Sequence, residues 1–335
     1  MEAMLYEKAV EKAVLCHLCA HECRINPGHV GICGVRENKD GTLYTLVDNR
    51  IVAENVDPIE KKPLFHFLPG TMSYSIATVG CNFRCTFCQN ADISQMPRDR
   101  GIIAGKPTSP EAIVEAALKT SCRSISYTYT EPTVFFELCY LTARVAKDKG
   151  LANVFVTNGY MTTQALETIH PYLSAANVDL KSFREDFYRK YCGAKLKPVL
   201  TAIEKMKSLG IWIEITTLII PGLNDSETEL YDIARFIRAL GDDIPWHVSR
   251  FYPRYKLTDL LPTPPETVYR ARNIGQEVGL KYVYCGNLPG DEGEYTYCPN
   301  CQKPIIERWG FQVTRYFLKK GRCQFCGATI SGVFS

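Results

Sequence analysis

The stretch SYSIATVGCNFRCTFC, residues 73–88, joins a β-rich apolar run to three closely spaced cysteines. Cys81, Cys85 and Cys88 follow the apolar run directly, with the spacing C-x3-C-x2-C. A structural zinc ion takes four closed ligands, whereas a [4Fe–4S] cluster held by three thiolates keeps one iron open for another molecule. Three core cysteines in a loop are the alternative, but such cysteines have no reason to cluster so tightly. The motif therefore favours an iron–sulfur cluster.

On the carboxyl-terminal side of this motif, apolar runs alternate with amphipathic helical stretches, a pattern typical of βα units. Ser109 with Pro110, and Ser226 with Glu229, predict helix starts, and Gly150 predicts a helix end. The pattern predicts an α/β fold with a parallel sheet curled into a partial or full (β/α) barrel, whose chemistry lies at the carboxyl ends of the strands. A flat doubly wound sheet is the alternative. The predicted strands are 73–79, 124–128, 153–157, 176–180, 212–219 and 247–252.

Two further groups of cysteines flank the predicted barrel and divide the chain. We expect a small N-terminal Cys-rich segment over 1–70, the barrel over 71–290 and a C-terminal metal module over 291–335. The C-terminal group has two C-x2-C knuckles, which predict a zinc-ribbon or rubredoxin-like site for zinc or a single iron. It consists of Cys298, Cys301, Cys323 and Cys326.

The N-terminal group also supplies four thiolates. Its spacing leaves zinc, an auxiliary iron–sulfur cluster and unligated reduced cysteines all open. His17 and His21 lie between the cysteines as substitute ligands. The four cysteines are Cys16, Cys19, Cys23 and Cys33.

The composition of the 335 residues is 46% hydrophobic and 22% charged, which excludes disordered and fibrous classes. No apolar run approaches the roughly 18 residues of a membrane span. The charged residues among the first fifteen predict neither a signal nor a transit peptide, so we expect a cytoplasmic protein with reduced cysteines. A net charge of +3 gives no reason to expect nucleic acid or a membrane as a partner.

At the three-cysteine motif the sequence resembles the radical S-adenosylmethionine (SAM) superfamily, whose hallmark includes an aromatic before the third cysteine, here Phe87. The resemblance implies that the open iron of a [4Fe–4S] cluster binds the amino and carboxylate groups of SAM. It also implies that an electron from the cluster cleaves SAM to methionine and a 5′-deoxyadenosyl radical. An electron donor such as a ferredoxin or flavodoxin is implied as a partner.

A finer resemblance is to the radical SAM member of the AmmeMemoRadiSam system, a group similar to pyruvate formate-lyase activating enzyme. Residues 57–70, 80–83, 249–251 and 284–287 look like the signature of that group. The resemblance extends over most of the chain, but it supplies no substrate.

The same resemblance implies SAM-positioning residues at successive strand ends. The sequence from Tyr129 to Pro132 stands where the superfamily usually has Gly-Gly-Glu-Pro, and the retained Glu131 is expected to bind the SAM amino group. Asp179 and Lys181 look like the Asp-x-Lys of glycyl-radical-enzyme activases. The expected SAM-binding residues are Phe87, Glu131, Asn158, Asp179, Lys181 and His247.

Several other residues are expected to have structural roles. Glu60 to Lys62 are expected to form a solvated lead-in to the barrel, and His66 a hydrogen-bonded core histidine. Among the isolated cysteines, only Cys192 is expected close enough to the inferred site to be a candidate for a redox role. The isolated cysteines, expected to fill the core, are Cys122, Cys139, Cys192 and Cys285.

The predicted function is that of a radical SAM oxidoreductase that abstracts a hydrogen atom. By resemblance to the activases, a polypeptide is the first expectation for the substrate, and a small molecule is the second. A non-catalytic metal-binding or electron-transfer module is the alternative from a different class.

Overall fold

The computed structural model describes residues 1–288 and 290–334. Its N-terminal part is built from short antiparallel strands, in which β1, β2 and β3 form one sheet and β4 and β5 form a hairpin. The strands are β1 (Tyr6–Lys8), β2 (Val14–Cys16), β3 (Arg24–Ile25), β4 (Arg36–Lys39), β5 (Thr42–Thr45) and β6 (Arg50–Ile51).

An eight-stranded sheet forms the centre of the molecule, with the order β15-β14-β13-β12-β11-β10-β8-β7. All neighbours are parallel except β7, which pairs antiparallel with β8; the short β9 pairs with β6 instead. The strands are β7 (Ala53–Pro58), β8 (Met72–Ala77), β9 (Lys106–Pro107), β10 (Ser124–Tyr127), β11 (Ala152–Thr157), β12 (Ala175–Asp179), β13 (Trp212–Ile219), β14 (Trp246–Arg250) and β15 (Val283–Gly286).

The order of the strands confirms the predicted α/β fold. The parallel strands follow one another in chain order across the sheet, whereas a doubly wound sheet reverses direction at a switch point. With β15 and β7 as its edges, the sheet is a partial barrel. The six predicted strands are all present, and β15 adds a seventh parallel strand that the sequence analysis did not predict.

Helices connect the parallel strands, and the predicted helix boundaries are confirmed. The hydroxyl of Ser109 accepts a hydrogen bond from Ala112 N, that of Ser226 accepts from Glu229 N, and Gly150 follows α4 with φ +75°. The helices are α1 (Ala91–Ser94), α2 (Met96–Arg100), α3 (Pro110–Lys119), α4 (Phe136–Asp148), α5 (Thr163–Ile169), α6 (Glu185–Phe187), α7 (Leu196–Ser208), α8 (Glu227–Leu240) and α9 (Pro265–Glu277).

The C-terminal module consists of a three-stranded antiparallel sheet and a hairpin. Arg308, fully buried, donates a 2.9 Å hydrogen bond to Phe65 O, and Val333 N donates to His66 O. The module therefore packs on the segment that leads into the barrel. Its strands are β16 (Thr296–Tyr297), β17 (Pro304–Trp309), β18 (Gln312–Tyr316), β19 (Leu318–Lys319) and β20 (Arg322–Cys323).

The segment leading into the barrel is buried, so the expectation of a solvated Glu60 to Lys62 run is wrong. Glu60 and Lys62 are each 1% exposed, and only Lys61 is exposed to solvent. Lys62 Nζ lies 2.7 Å from an Asp57 oxygen, and Glu60 accepts a hydrogen bond from Gly70 N. The charges are tolerated in the interior because each has a partner.

The expectation for His66 is confirmed, because the ring is fully buried with both nitrogens hydrogen-bonded. Nδ1 lies 2.7 Å from Ser331 O, which can only accept, so Nδ1 carries the proton and Nε2 accepts from the Tyr284 hydroxyl at 2.6 Å. Burial lowers the pKa of His66 to about 4.

The large apolar core extends from Ala3 to Leu288 and includes residues of the N-terminal strands and of the barrel. The four isolated cysteines are buried, as expected. In the part of the chain that the structure describes, no helix has the length and apolarity needed to cross a membrane.

Candidate functional site

The three-cysteine loop lies at the carboxyl end of β8 and is held by backbone hydrogen bonds to the π-helical turn Tyr188–Cys192. Arg84 N donates to Cys192 O at 2.8 Å, and Thr86 N donates to Tyr191 O at 3.0 Å. These bonds fix the loop against the segment that follows β12.

Hydrogen-bond donors surround the loop's sulfur atoms. Phe83 N donates to Cys81 Sγ at 3.3 Å, and the Ser94 hydroxyl lies 3.2 Å from Cys88 Sγ. Asn82 is fully buried, and its Nδ2 has no partner among the described residues. A buried donor without a partner is costly, and a cluster bound by the adjacent Cys81 would bring sulfur acceptors close to this amide, whose Oδ1 lies 3.9 Å from Cys81 Sγ.

The spread of the three sulfur atoms also fits a cluster. Among the residues described, the C-terminal cysteines alone form a group of three or more ligand atoms within 4.8 Å of one another, as one metal ion requires. Cys81, Cys85 and Cys88 are more widely spaced, as ligands to three different irons are.

The thiols of this loop differ in their electrostatic surroundings. Burial, together with the nearby Glu131 carboxylate, raises the pKa of Cys81 well above its ordinary value. A hydrogen bond with the buried Cys192 thiol lowers the pKa of Cys85 instead. Cys192 therefore lies beside the site, where the sequence placed it, and is positioned to tune one of the three thiolates.

Asp179, Lys181 and Phe87 come together next to Cys85. Lys181 Nζ lies 2.8 Å from an Asp179 oxygen and 5.9 Å from the centre of the Phe87 ring. Burial alone would lower the pKa of Lys181, but the charges of Asp179 and Cys85 raise it well above its ordinary value. The end of β12 thus presents a fixed cation and a carboxylate to the cysteine loop.

Glu131 joins the ends of β10 and β11. Its Oε1 accepts from Thr133 N and from the hydroxyls of Thr133 and Thr157, and its Oε2 accepts from Asn158 N at 2.8 Å. Oε2 accepts one hydrogen bond against three at Oε1, so Oε2 has room for a further donor. Burial raises the pKa of Glu131 despite these bonds.

Asn158 connects Glu131 to the cysteine loop. Its Nδ2 donates to Asn82 Oδ1 at 2.8 Å and lies 3.8 Å from Cys81 Sγ. The structure therefore brings five of the six expected SAM-binding residues to the carboxyl edge of the sheet, on both sides of the cysteine loop. These five are Phe87, Glu131, Asn158, Asp179 and Lys181.

His247 is the exception, because its ring hydrogen-bonds to Glu214 and not to the cysteine loop, and its assignment to SAM binding stays a prediction. It is the second residue of β14 and lies in register with Thr216 of β13, which is in turn in register with Asp179 of β12. Its Nε2 bonds to the fully buried Glu214 at 2.7 Å. Glu214 also accepts from the backbone N–H groups of Phe65 and His66, so it links His247 to the segment that leads into the barrel.

Tyr129, at the place of a family glycine, has an unexpected role. It keeps the left-handed backbone that glycine favours, with φ +61°, and its carbonyl accepts from Asn90 Nδ2. Its hydroxyl donates to Asp57, and Lys62 Nζ lies 4.5 Å from the centre of its ring. We call Asp57, Lys61, Lys62 and Tyr129 the inner polar cluster. Sequence reasoning missed it, although a bulky residue at a glycine position was a signal.

The loop that follows β14 reaches the cysteine loop from the other side of the barrel. Lys256 N donates to Thr86 O at 2.9 Å, and the Tyr255 hydroxyl donates to Asp99 at 2.7 Å. This loop, residues 251–264, therefore partly covers the carboxyl edge where the expected SAM-binding residues lie.

The C-terminal cysteines form the four-sulfur site that their spacing predicts. The sulfurs of Cys298 and Cys326 lie 3.6 Å apart, and those of Cys301 and Cys323 lie 3.8 Å apart. Zinc–sulfur bonds of about 2.3 Å in a tetrahedron give sulfur separations of about 3.8 Å. The site suits one tetrahedral zinc or iron ion.

The histidines beside the N-terminal cysteines are not positioned as ligands, contrary to the suggestion from the sequence. His21 Nε2 bonds to Asn82 O at 2.8 Å, and His17 Nε2 lies 3.4 Å from the Glu7 carboxylate. The cysteines themselves line one cavity, together with Arg36, Thr133 and Val134.

Comparisons with known proteins agree with this geometry. Residues 75–236 match the family described as the radical SAM superfamily. The chain is 48% identical over 332 residues to the uncharacterized protein MJ0808 of Methanocaldococcus jannaschii, covering 98% of both chains.

More distant relatives carry functional names. The GTP 3′,8-cyclase of Aquifex aeolicus is 24% identical, over 72% of this chain and 80% of that protein. The putative glycyl-radical enzyme activating enzyme MJ1632 of M. jannaschii is 26% identical, over 62% of this chain and 77% of that protein. The solved structure of Streptococcus suis SuiB bound to S-adenosylmethionine has a TM-score of 0.51 at 12% identity and covers 68% of this chain and 53% of that one.

The partial barrel, the three-cysteine loop and the family match together establish the class: the chain belongs to the radical SAM superfamily. Its cofactors are accordingly the [4Fe–4S] cluster and SAM that this superfamily uses.

Proposed function

We propose that the protein binds SAM at the cluster held by Cys81, Cys85 and Cys88 and uses it to abstract a hydrogen atom from a substrate. When bound, the cluster and SAM supply reductive cleavage to methionine and a 5′-deoxyadenosyl radical, which takes a hydrogen atom and becomes 5′-deoxyadenosine. The convergence of the cysteine loop with the Asp179–Lys181 pair carries this proposal, because Lys181 offers a positive charge to the SAM carboxylate and Asp179 adds a negative charge for the cationic part of SAM.

Within this site the protein's residues have separate tasks. The Lys181 ammonium and the free lone pair of Glu131 Oε2 are available to the SAM carboxylate and amino group respectively. Asn158 fixes Glu131 relative to Cys81, and Phe87 covers Lys181. The loop that carries Lys256 shields this edge from water, as a reactive radical requires.

We further propose that the substrate is a small molecule with an anionic group, bound at the inner polar cluster. Both ends of the barrel carry covers: the loop with Lys256 at the carboxyl edge, and the C-terminal module through Arg308 at the other end. Asp57 with Lys61 and Lys62 leaves one net positive charge, which favours an anion. Tyr129 connects this cluster to the cysteine loop through Asn90.

A polypeptide substrate is the second candidate. The similarity to the putative glycyl-radical enzyme activating enzyme MJ1632 favours it, because that name describes an enzyme that acts on a protein. A protein substrate would need the loop over residues 251–264 to open and admit a segment of chain.

Isotope transfer from fractionated cell extract tests both candidates. The anaerobically reconstituted protein would be incubated with SAM, reductant and fractions of an extract from deuterium-grown cells, and deuterium in 5′-deoxyadenosine would be measured by mass spectrometry. We expect deuterium from the anionic small-molecule fraction, and none with Cys81→Ala/Cys85→Ala/Cys88→Ala.

The other outcomes are equally informative. Deuterium from the protein fraction alone would replace the small molecule by the polypeptide candidate. If the wild-type protein forms no 5′-deoxyadenosine under any condition, SAM cleavage itself is refuted.

A further inference from the structure

We propose that the four N-terminal cysteines, Cys16, Cys19, Cys23 and Cys33, hold a second [4Fe–4S] cluster. All four line a single cavity between the N-terminal strands and the 3-10 turn Pro132–Phe135. The site is separate from the one that binds SAM, and its existence does not depend on the proposed substrate.

The spacing of the sulfur atoms selects a cluster over a zinc ion. One tetrahedral zinc draws its sulfurs to about 3.8 Å from one another, which is the separation found in the C-terminal group. In the described part of the chain, that group is the one set of three or more ligand atoms within 4.8 Å. The N-terminal cysteines are therefore too widely spaced for one ion, and in this they match Cys81, Cys85 and Cys88.

Arg36 supplies a second, independent observation. Its side chain lines the same cavity, is 2% exposed, and has two atoms, Nε and Nη1, without a hydrogen-bond partner among the described residues. Nη2 alone is used, in bonds to Met4 O and Glu137 at 2.7 Å each. Buried guanidinium donors left free are costly, and an anionic cluster with four thiolates would accept from them.

The proposed cluster lies beside the SAM-binding one. A Cβ built on Gly80, the residue before Cys81, would lie 3.4 Å from Cys33 O. Arg98 connects the two cysteine loops by donating to Ile32 O at 2.8 Å and to Phe83 O at 3.3 Å. Electrons therefore have a short path between the two sites.

The number of cysteines determines the chemistry of the proposed cluster. Four thiolates occupy all four irons, so no iron is open for SAM or a substrate. The chemistry that remains is to accept one electron from a reduced donor and to pass it to the neighbouring cluster. Ile32, which precedes Cys33 and lines the cavity, is exposed, so a protein donor can approach the cavity at this residue.

Iron and sulfide content of the full-length protein test the site. The wild-type protein, reconstituted without oxygen, should hold about eight irons and eight sulfides per chain in [4Fe–4S] clusters by Mössbauer spectroscopy. Cys81→Ala/Cys85→Ala/Cys88→Ala should keep about half of each, with an electron paramagnetic resonance signal that does not respond to SAM. Cys16→Ala/Cys33→Ala should keep only the SAM-responsive signal.

A control and a second readout complete the test. Cys122→Ala, which removes a lone buried cysteine, should keep both clusters. In the reduced wild-type protein, magnetic coupling should broaden the signal beyond the sum of the two variants' signals. The proposal is overturned if the wild-type protein holds one cluster, if the triple variant contains zinc in place of iron and sulfide at this site, or if its signal responds to SAM. An uncoupled sum would overturn the placement beside the SAM-binding cluster.

Discussion

The hydroxyl of Tyr129 donates a hydrogen bond to the carboxylate of Asp57, which also pairs with Lys61 and Lys62. A tyrosine with φ +61° is strained by about 1–3 kcal/mol relative to glycine. The chain thus keeps a strained side chain at a position where the family usually has none, directly after the strand that leads to Glu131. Backbone strain of this kind often marks a functional residue. We propose that Tyr129 takes part in substrate binding.

Tyr129→Phe is the first prediction. It removes the hydroxyl but keeps the ring and the backbone, so SAM binding and cluster content should not change. Hydrogen transfer from the substrate should slow about tenfold or more, since a hydrogen bond to a charged group contributes about 1.5–3 kcal/mol. Tyr231→Phe removes a comparable bond to Glu277 on the surface and should have no effect. Equal rates for Tyr129→Phe and the wild-type protein would exclude Tyr129 from substrate binding.

Glu131→Gln should weaken SAM binding about tenfold without changing cluster content. The substitution keeps the shape but removes the charge that faces the SAM ammonium, and each 1.4 kcal/mol changes affinity by one decade. Thr157→Val is the matched control, because it removes one hydrogen bond to Glu131 and leaves the charge. Anaerobic calorimetry measures both. Unaltered affinity in Glu131→Gln would make Glu131 a structural strand end.

Because His66 is buried without a charge, we expect the unfolding free energy of the protein to depend on pH. Its pKa is about 4 in the folded protein, below the value of about 6.5 in an unfolded chain, so its contribution is complete above about pH 6.5 and is lost as the pH falls toward 4. The loss amounts to about 3 kcal/mol. His66→Asn should flatten the dependence of the unfolding free energy on pH across this range, whereas the exposed His29→Asn should not. A slope that His66→Asn leaves intact would assign the effect to other groups.

Cys298→Ser/Cys301→Ser should release the metal and unfold the C-terminal module, because so small a unit depends on its metal. Limited proteolysis should then cut within residues 290–334, and the melting temperature should fall because Arg308 no longer holds Phe65. SAM cleavage should remain measurable, since the cysteine loop lies at the other end of the strands. Its loss with the Cys81 cluster intact would instead make the module an entry point for electrons.

The sequence predicts those parts of the molecule that local patterns determine. Six of the parallel strands, the caps at Ser109 and Ser226 and the C-terminal four-sulfur site follow from periodicity, hydrogen-bonding side chains and ligand spacing. Asp179 and Lys181 were expected at the site from the resemblance to the activases, and they lie near Cys85 because parallel strand ends share one edge of the sheet.

Long-range pairing explains what the sequence did not reveal. A charge run such as Glu60 to Lys62 looks solvated until its partners are known, and those partners include Arg308, 248 residues further along the chain. His247 was placed by a resemblance in order along the chain, and its bond to the buried Glu214 could not be foreseen from the sequence. The distinction between the two outer cysteine groups likewise requires sulfur positions, which spacing along the chain does not give.

The central claim is that SAM binds to an open iron held by Cys81, Cys85 and Cys88. Electron paramagnetic resonance of the reduced, oxygen-free protein before and after addition of SAM tests it most directly. We predict that SAM changes part of the wild-type [4Fe–4S]⁺ signal and changes nothing in Cys81→Ala/Cys85→Ala/Cys88→Ala. A wild-type spectrum that is indifferent to SAM would contradict the claim.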